Sequence, residues 1–219
     1  MVSFYKALER ARGGEPKSAV LPDPAPRSGQ PRFAREMQGL AARLQPLFEE
    51  RPSLLLMIMG CGRGEGATTV TTEFARHLTS DGKRVLFCGS HPTAQSPDEA
   101  DGVTPIQQAG PNLSLLDISA LLRSDGDSAH KNEFRERIQG LRDQFDVVLI
   151  DSPPILFHAS WAVLLRHVDG VILVIEAEKT RSAILRSTLR NIEEVGGHVI
   201  GIVFNKRKQY IPRVLYRLL

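Results

Sequence analysis

The chain has 219 residues, enough for one well-buried domain with length left over for tails. An apolar fraction of 42% and a charged fraction of 24% exclude wholesale disorder. A net charge of +3 and an isoelectric point near 9.0 are too weakly basic to mark a nucleic-acid-binding protein, though they suit an anionic ligand or a membrane surface.

In chain order, "SFYKALERAR" carries Phe4, Ala7 and Leu8 at helical spacing and stops at Gly13-Gly14. "EPKSAVLPDPAPRSGQPR" holds five prolines without periodicity and reads as a linker, so residues 1–31 form an N-terminal helix plus linker ahead of a domain at 32–206. "RFAREMQGLAARLQPLF" is helical, and "SLLLMIMG" is a continuous apolar run of the kind found in strands covered on both faces. A glycine-rich loop, a helix through His77 and the strand "RVLFCG" follow; residues 90–112 are loop-like. "LSLLDI" is a strand, "HKNEFRERIQGLRDQF" a helix, and "DVVLID" a buried strand. A short helix at Trp161–Leu165, the strand "GVILVIEA", the helix "RSAILRSTLRNIEEVG" and the strand "HVIGIVFN" complete the alternation. That order predicts a doubly wound α/β fold, a mainly parallel sheet with helices on both sides.

No signal-peptide core is present in "MVSFYKALERARGG", no apolar run approaches the roughly 20 residues of a spanning helix, and two cysteines, Cys61 and Cys88, make no disulfide framework. A cytoplasmic location is expected. The last stretch, 207–219, places Val214, Leu215, Leu218 and Leu219 on one helical face with Arg213, Arg217 and an upstream "KRK" around it. It suits a membrane surface or a membrane partner; packing back on its own domain is the other option.

The chemistry centres on "MGCGRGEGATTV", residues 59–70. Gly62, Gly64 and Gly66 after a buried strand, with Thr68 and Thr69 opening a helix, are what a phosphate-binding loop needs, because backbone N–H groups and a helix N-terminus then face the anion. The pattern G-x-x-x-x-G-K-[ST] also requires a lysine for the outer phosphates and a hydroxyl for magnesium. Here Cys61 replaces the first glycine, Ala67 replaces the lysine, and Thr68 keeps the hydroxyl. A tight turn with no ligand is the plain alternative. Asp151, ending "FDVVLID", stands where a magnesium-linked carboxylate sits in such proteins, and Thr68 with Asp151 is the candidate metal pair. Gly62, Arg63, Gly64, Glu65, Gly66, Ala67, Thr68 and Thr69 are the candidate nucleotide-binding residues, Arg63 replacing some charge or pointing to solvent. Asp151 is the candidate catalytic group, whereas His91 lacks a partner at a telling spacing and reads as a loop histidine.

In this order and spacing the pieces resemble the cytoplasmic domain of bacterial tyrosine kinases of capsule and exopolysaccharide synthesis, the CpsD/CapB type, within the wider ParA/MinD class. "RGEGATT" resembles that family's P-G-E-G-K-S-T loop, "FDVVLIDSPP" its second acidic motif, and "DGVILVIEAEKTR" and "GIVFNKRKQYIPRVLYRLL" its closing segments. The resemblance covers nearly the whole chain and implies an ATP or ADP site with magnesium, an adenine contact at Asn205, and a membrane polysaccharide co-polymerase or chain-length protein as partner. It also implies a location at the inner face of the cell membrane and self-association.

The departures bear on activity. The class's earlier signature lysine falls near Gly62, and the family's D-x-D motif is met by Gly89 and His91. From Glu36, the family's E-x-x-R-x-x-R assembly motif meets Gly39 and Ala42, and the terminal tyrosine cluster is reduced to Tyr210 and Tyr216. These losses imply a degenerate member with weak or no ATP turnover. An active tyrosine autokinase and a ParA/MinD-type positioning ATPase are the two alternatives.

Overall fold

The structure, a computed structural model, describes residues 31–89, 106–119, 128–154 and 164–207. Helix α1 (Pro31–Glu50) leads into strand β1 (Leu54–Gly60), then helix α2 (Ala67–Ser80) and strand β2 (Val85–Gly89). Strands β3 (Gln107–Gly110) and β4 (Leu113–Asp117) precede helix α3 (Ser128–Gln144) and strand β5 (Val147–Ser152). Strand β6 (Gly170–Glu176), helix α4 (Ser182–Glu194) and strand β7 (Val199–Asn205) follow.

The seven strands form one sheet in the order β3-β4-β2-β5-β1-β6-β7, all parallel except the edge pair β3–β4. This is the doubly wound arrangement the alternation predicts. Successive side chains of β1 point to opposite faces, so Leu55, Met57 and Met59 join one apolar core while Leu54, Leu56 and Ile58 join the other. All six are fully buried, each contributing on the order of 1.5–3 kcal/mol of hydrophobic burial. Helices α1 and α2 cover one face through Met37, Leu44, Val70, Phe74 and Leu78; α3 and α4 cover the other through Ile138, Leu141 and Ile192.

Two details depart from the sequence expectation. Residues 107–110, read as loop, form the antiparallel edge strand β3, whose "QQAG" lacks any apolar alternation; it exists because β4 offers a free edge. Helix α1 continues past Pro46, which removes one backbone donor but lies on the exposed side while Leu47 and Phe48 pack against the core. Glu36, Gly39 and Ala42 all lie on the exposed side of α1, and a side chain at Gly39 would meet nothing within 4 Å.

Parallel pairing brings the carboxyl ends of β5, β1, β6 and β7 to one edge. Asp151 of β5 lies opposite Ile58 of β1, and Asn205 of β7 lies opposite Glu176 of β6. In open α/β sheets that edge, where the chain switches direction across β1, is where ligands bind.

Candidate functional site

The loop from Gly60 to Gly66 turns twice through left-handed backbone, at Gly64 (φ 76°) and Gly66 (φ 92°). Gly66 is also the N-cap of α2 and supplies no side-chain cap, so the first-turn N–H groups of α2 have no acceptor within the helix. Those donors and the helix dipole favour an anion.

Side chains from the ends of two strands, β6 and β7, hold the loop in this shape through Glu65 and Gly64. Glu65, buried at 7% exposure, accepts a hydrogen bond from the Gly62 N–H (2.9 Å) and another from the Thr180 hydroxyl in the turn after β6. Asn205 donates from Nδ2 to the Glu65 carbonyl at 2.8 Å. Lys206 reaches back from its own left-handed position (φ 57°) to donate to the Gly64 carbonyl, and its ammonium also pairs with Glu176 at 3.0 Å. A buried glutamate on the rear of the loop ties it to the sheet while leaving the helix-start amides untouched.

On the β5 side, the Thr68 and Thr71 hydroxyls lie at the Asp151 carboxyl. Thr71 is also 2.9 Å from the Ala67 carbonyl, so its single proton serves one acceptor at a time. Burial pushes the Asp151 carboxyl up to about 6, opposed by the hydrogen bonds from Thr68 and Thr71. Thr68 and Asp151 fit a hard divalent cation, but among the described residues no group of three metal-ligating side chains converges anywhere. A cation here would take its remaining ligands from phosphate oxygens and water, as magnesium does. The donor set therefore fits a magnesium-bound phosphate chain.

The raised Asp151 value gives a pH dependence whose sign is fixed. Below the ordinary value of 3.8 both folded and unfolded chains carry the proton; as pH rises towards 6 the unfolded chain ionises first and stability falls. Asp151→Asn removes that penalty. The variant is expected to be more stable than the wild type by about 2–3 kcal/mol near pH 8 and indistinguishable from it near pH 3.5, in denaturant titrations at both pH values. A difference independent of pH would show that Asp151 is not held neutral by burial.

The structure brings residues 62–69, Asp151 and Asn205 together, as the motif reading requires. Ala67, the first residue of α2, packs partly buried against the core, leaving the lysine position without a cation. Arg63 is exposed. Asn205 is neither a free strand-end amide nor turned away: it braces the loop. Gly89 ends β2 with its carbonyl taken by the Ile118 N–H, and the carboxylate beside it, Asp117 of β4, accepts from the Ser119 N–H at 2.8 Å. Cys61, at the first-glycine position, is buried beside Thr188, and burial pushes its thiol up to about 11, so it is an inert packing residue. His91, Tyr210, Tyr216 and the segments 1–30 and 208–219 lie outside the described residues. The sequence reading missed the bracing roles of Glu65, Thr180, Glu176 and Lys206. Their one visible signal is a charged residue inside the glycine run and the dipeptide "NK" closing the last strand.

A glycine loop between the first sheet strand and its helix, faced by a carboxylate at the end of the adjacent parallel strand, defines the P-loop class. No family model matches the chain. The putative tyrosine-protein kinase EpsB of Ralstonia solanacearum is 24% identical over 187 residues, covering 77% of this chain and 25% of EpsB, so the chain spans about a quarter of that relative's length. The tyrosine-protein kinase CpsD of Streptococcus agalactiae is 23% identical over 76% of this chain and 80% of CpsD. The succinoglycan biosynthesis transport protein ExoP of Rhizobium meliloti is 23% identical over 83% of this chain and 25% of ExoP. Among solved structures, the kinase domain of the Escherichia coli tyrosine kinase ETK superposes with a TM-score of 0.61 at 18% identity, covering 82% of this chain and 79% of that one, a likeness of fold. The chain is thus a divergent relative of the bacterial tyrosine kinases of the CpsD/EpsB kind. A cytosolic Fe-S cluster assembly factor, CFD1 of Yarrowia lipolytica, is 28% identical over 80% of this chain and 69% of CFD1, so similarity reaches beyond kinases and activity must be argued from the site.

Proposed function

We propose that this chain is a P-loop protein of exopolysaccharide or capsule synthesis that binds a magnesium–nucleoside di- or triphosphate at residues 62–69, with Asn205 at the base, and transfers no phosphoryl group. It acts as a regulatory or scaffolding partner of a membrane polysaccharide co-polymerase, at the inner face of the membrane, with the basic segment 207–219 as the contact and self-association as part of the assembly. One observation carries this reading: the Thr68 hydroxyl lies at the Asp151 carboxyl while position 67 holds a partly buried alanine at the start of α2. Ground-state binding draws on backbone N–H groups, the helix dipole and a hydroxyl–carboxylate pair, and all of these are in place. Phosphoryl transfer is positioning plus stabilisation of developing charge, and one well-placed cation is worth on the order of 10³–10⁵ in rate. With no lysine at 67 and glycine at 89, little is left to stabilise that charge.

The test is an ATPase and phosphotyrosine assay on the full chain, with and without co-purified polysaccharide-export components. The expected result is no phosphotyrosine at Tyr210 or Tyr216, no hydrolysis above background, and altered polymer when the protein is deleted from its host. Phosphotyrosine that disappears in Asp151→Ala would establish an autokinase instead. Nucleotide-dependent dimers that bind liposomes or DNA, with unchanged polymer, would establish a positioning ATPase.

A further inference from the structure

The two edges of the sheet are built differently. At one, β3 is the four polar and small residues "QQAG", and Gln108 Nε2 donates to the Gly110 carbonyl at 3.2 Å. At the other, β7 runs for seven residues, carries the large apolar side chains of Val199, Ile200, Ile202, Val203 and Phe204, and holds no proline or charge. No described strand lies beyond it. Edge strands that stay single are blunted by shortness, charge or proline, and β7 has only a bulge at its start, where Ile200 is extra between the pairs Val171–Val199 and Ile172–Gly201. Phe204 is 65% exposed; with Ile184 in the first turn of α4, it makes up the exposed large apolar side chains among the described residues.

The backbone fixes how a further strand would add. The Asn205 carbonyl accepts from the Ala177 N–H on the β6 side, so by alternation the backbone groups of Phe204 and Ile202 face outward. In an antiparallel pair of two β7 strands, those outward groups exchange hydrogen bonds when Ile202 lies opposite the partner's Phe204, which sets a twofold axis at Val203. Phe204 pairs with Ile175 and Ile202 with Leu173, both in the core beneath α3 and α4, so the two side chains emerge on one face and each exposed ring lies beside a half-buried isoleucine. The ends match too. Arg207 is exposed just after β7, Glu193 and Glu194 are exposed at the close of α4 just before it, and none of the three is ion-paired among the described residues. Antiparallel pairing brings each basic end to the partner's acidic end.

We propose that the outer edge of β7 is a self-association surface, on which a second copy of this chain pairs antiparallel to form one continuous sheet without any nucleotide. This rests on the self-association part of the reading above, to which it gives a surface, and not on the nucleotide site.

Sedimentation equilibrium of the full chain in the absence of nucleotide is the test. The wild type is expected to dimerise reversibly. Phe204→Lys, which sets a charge on the edge, is expected to raise the dimer Kd at least about tenfold. Arg207→Glu, which sets like charges together at both ends, is expected to raise it about fivefold, and adding Glu193→Lys and Glu194→Lys to that variant to restore it to within about twofold of the wild type. Val203→Cys, on the twofold axis, is expected to form an intermolecular disulfide with oxidised glutathione, because facing Cα atoms of such a pair lie about 4.5 Å apart; Val199→Cys, far from its own copy along the strand, is expected not to. The native Cys61 and Cys88 are buried and take no part. A wild type that stays monomeric at the highest concentration reached would overturn the proposal, as an edge covered by the chain's own segment 208–219 would require, and would leave the nucleotide reading standing. A dimer indifferent to both Phe204→Lys and Arg207→Glu, one that cross-links equally through Val199→Cys, or one that needs magnesium–nucleotide would overturn it by placing self-association on another surface. If Phe204→Lys melts early, the charge reversal and its restoration make the same comparison.

Discussion

Replacing Asp169 with alanine is expected to destabilise the protein by about 3–5 kcal/mol, the cost of removing one partner from a buried charged pair. Asp169 stands just before β6, at the edge of the sheet opposite the loop, with its side chain 5% exposed. Its Oδ2 accepts from the Leu55 N–H (2.8 Å) and from Arg142 Nη1 (2.8 Å), its Oδ1 pairs with Arg51, and its own N–H donates to the Leu55 carbonyl (2.8 Å). Arg142 in turn donates to the Ser53 and His167 carbonyls at 3.1 and 3.4 Å, so the aspartate fastens the starts of β1 and β6 to the end of α3. Alanine would leave the Leu55 N–H without its acceptor and the Arg142 guanidinium without its counter-charge in a part-buried place. Urea midpoints of the wild type, Asp169→Ala and Asp169→Asn measure this, the asparagine falling between the other two. A loss below about 1 kcal/mol would mean that solvent screens the network as it screens a surface pair.

Gly66→Ala is expected to be the most damaging single change at the loop. A β-carbon at Gly66 would lie 2.2 Å from Asn205 Nδ2, and the backbone there is left-handed, so the variant meets both a collision and strain. Either Asn205 is pushed off the Glu65 carbonyl or the turn into α2 opens; both spoil the anion site. A cost of about 2–3 kcal/mol is expected, with loss of measurable nucleotide binding. Gly82 is the matched control: its φ of 82° is equally left-handed, but nothing lies within 4 Å of the added carbon. Gly82→Ala should cost only the backbone term, about 1 kcal/mol, and leave binding unchanged. Equal behaviour of the two variants would show that the Asn205 contact does not hold the loop.

Much of the fold is legible in the sequence where burial is extreme. "LLLMIM" and "VVLI" are continuous apolar runs because both faces of a central parallel strand are covered, and no other local structure explains them as well. β3 was hidden for the converse reason: "QQAG" is half-exposed and is a strand only through its pairing with β4. At the site, residues 62–69 and Asp151 are recognisable because spacing within a loop and at a strand end is a local property. The braces are not local. Thr180 reaches Glu65 across 115 residues, Asn205 reaches it across 140, and Lys206 reaches Gly64 across 142. Only parallel register, which sets β6 beside β1 and β7 beside β6, turns those separations into hydrogen bonds. Glu65, which reads in sequence as one more residue of the nucleotide-binding loop, is in the fold a buried clamp.

The central claim is that the loop still binds a magnesium–nucleotide although its lysine is gone. Calorimetric titration of the wild type with ADP and ATP, in magnesium and in chelator, with Asp151→Ala alongside, tests it directly. The expected result is binding that requires magnesium, is lost in Asp151→Ala, and weakens about tenfold between pH 7 and pH 5 as the carboxyl, which titrates at about 6, takes up its proton. No binding at millimolar nucleotide, or binding indifferent to both magnesium and Asp151, would contradict the account and leave "GRGEGATT" as a turn between strand and helix.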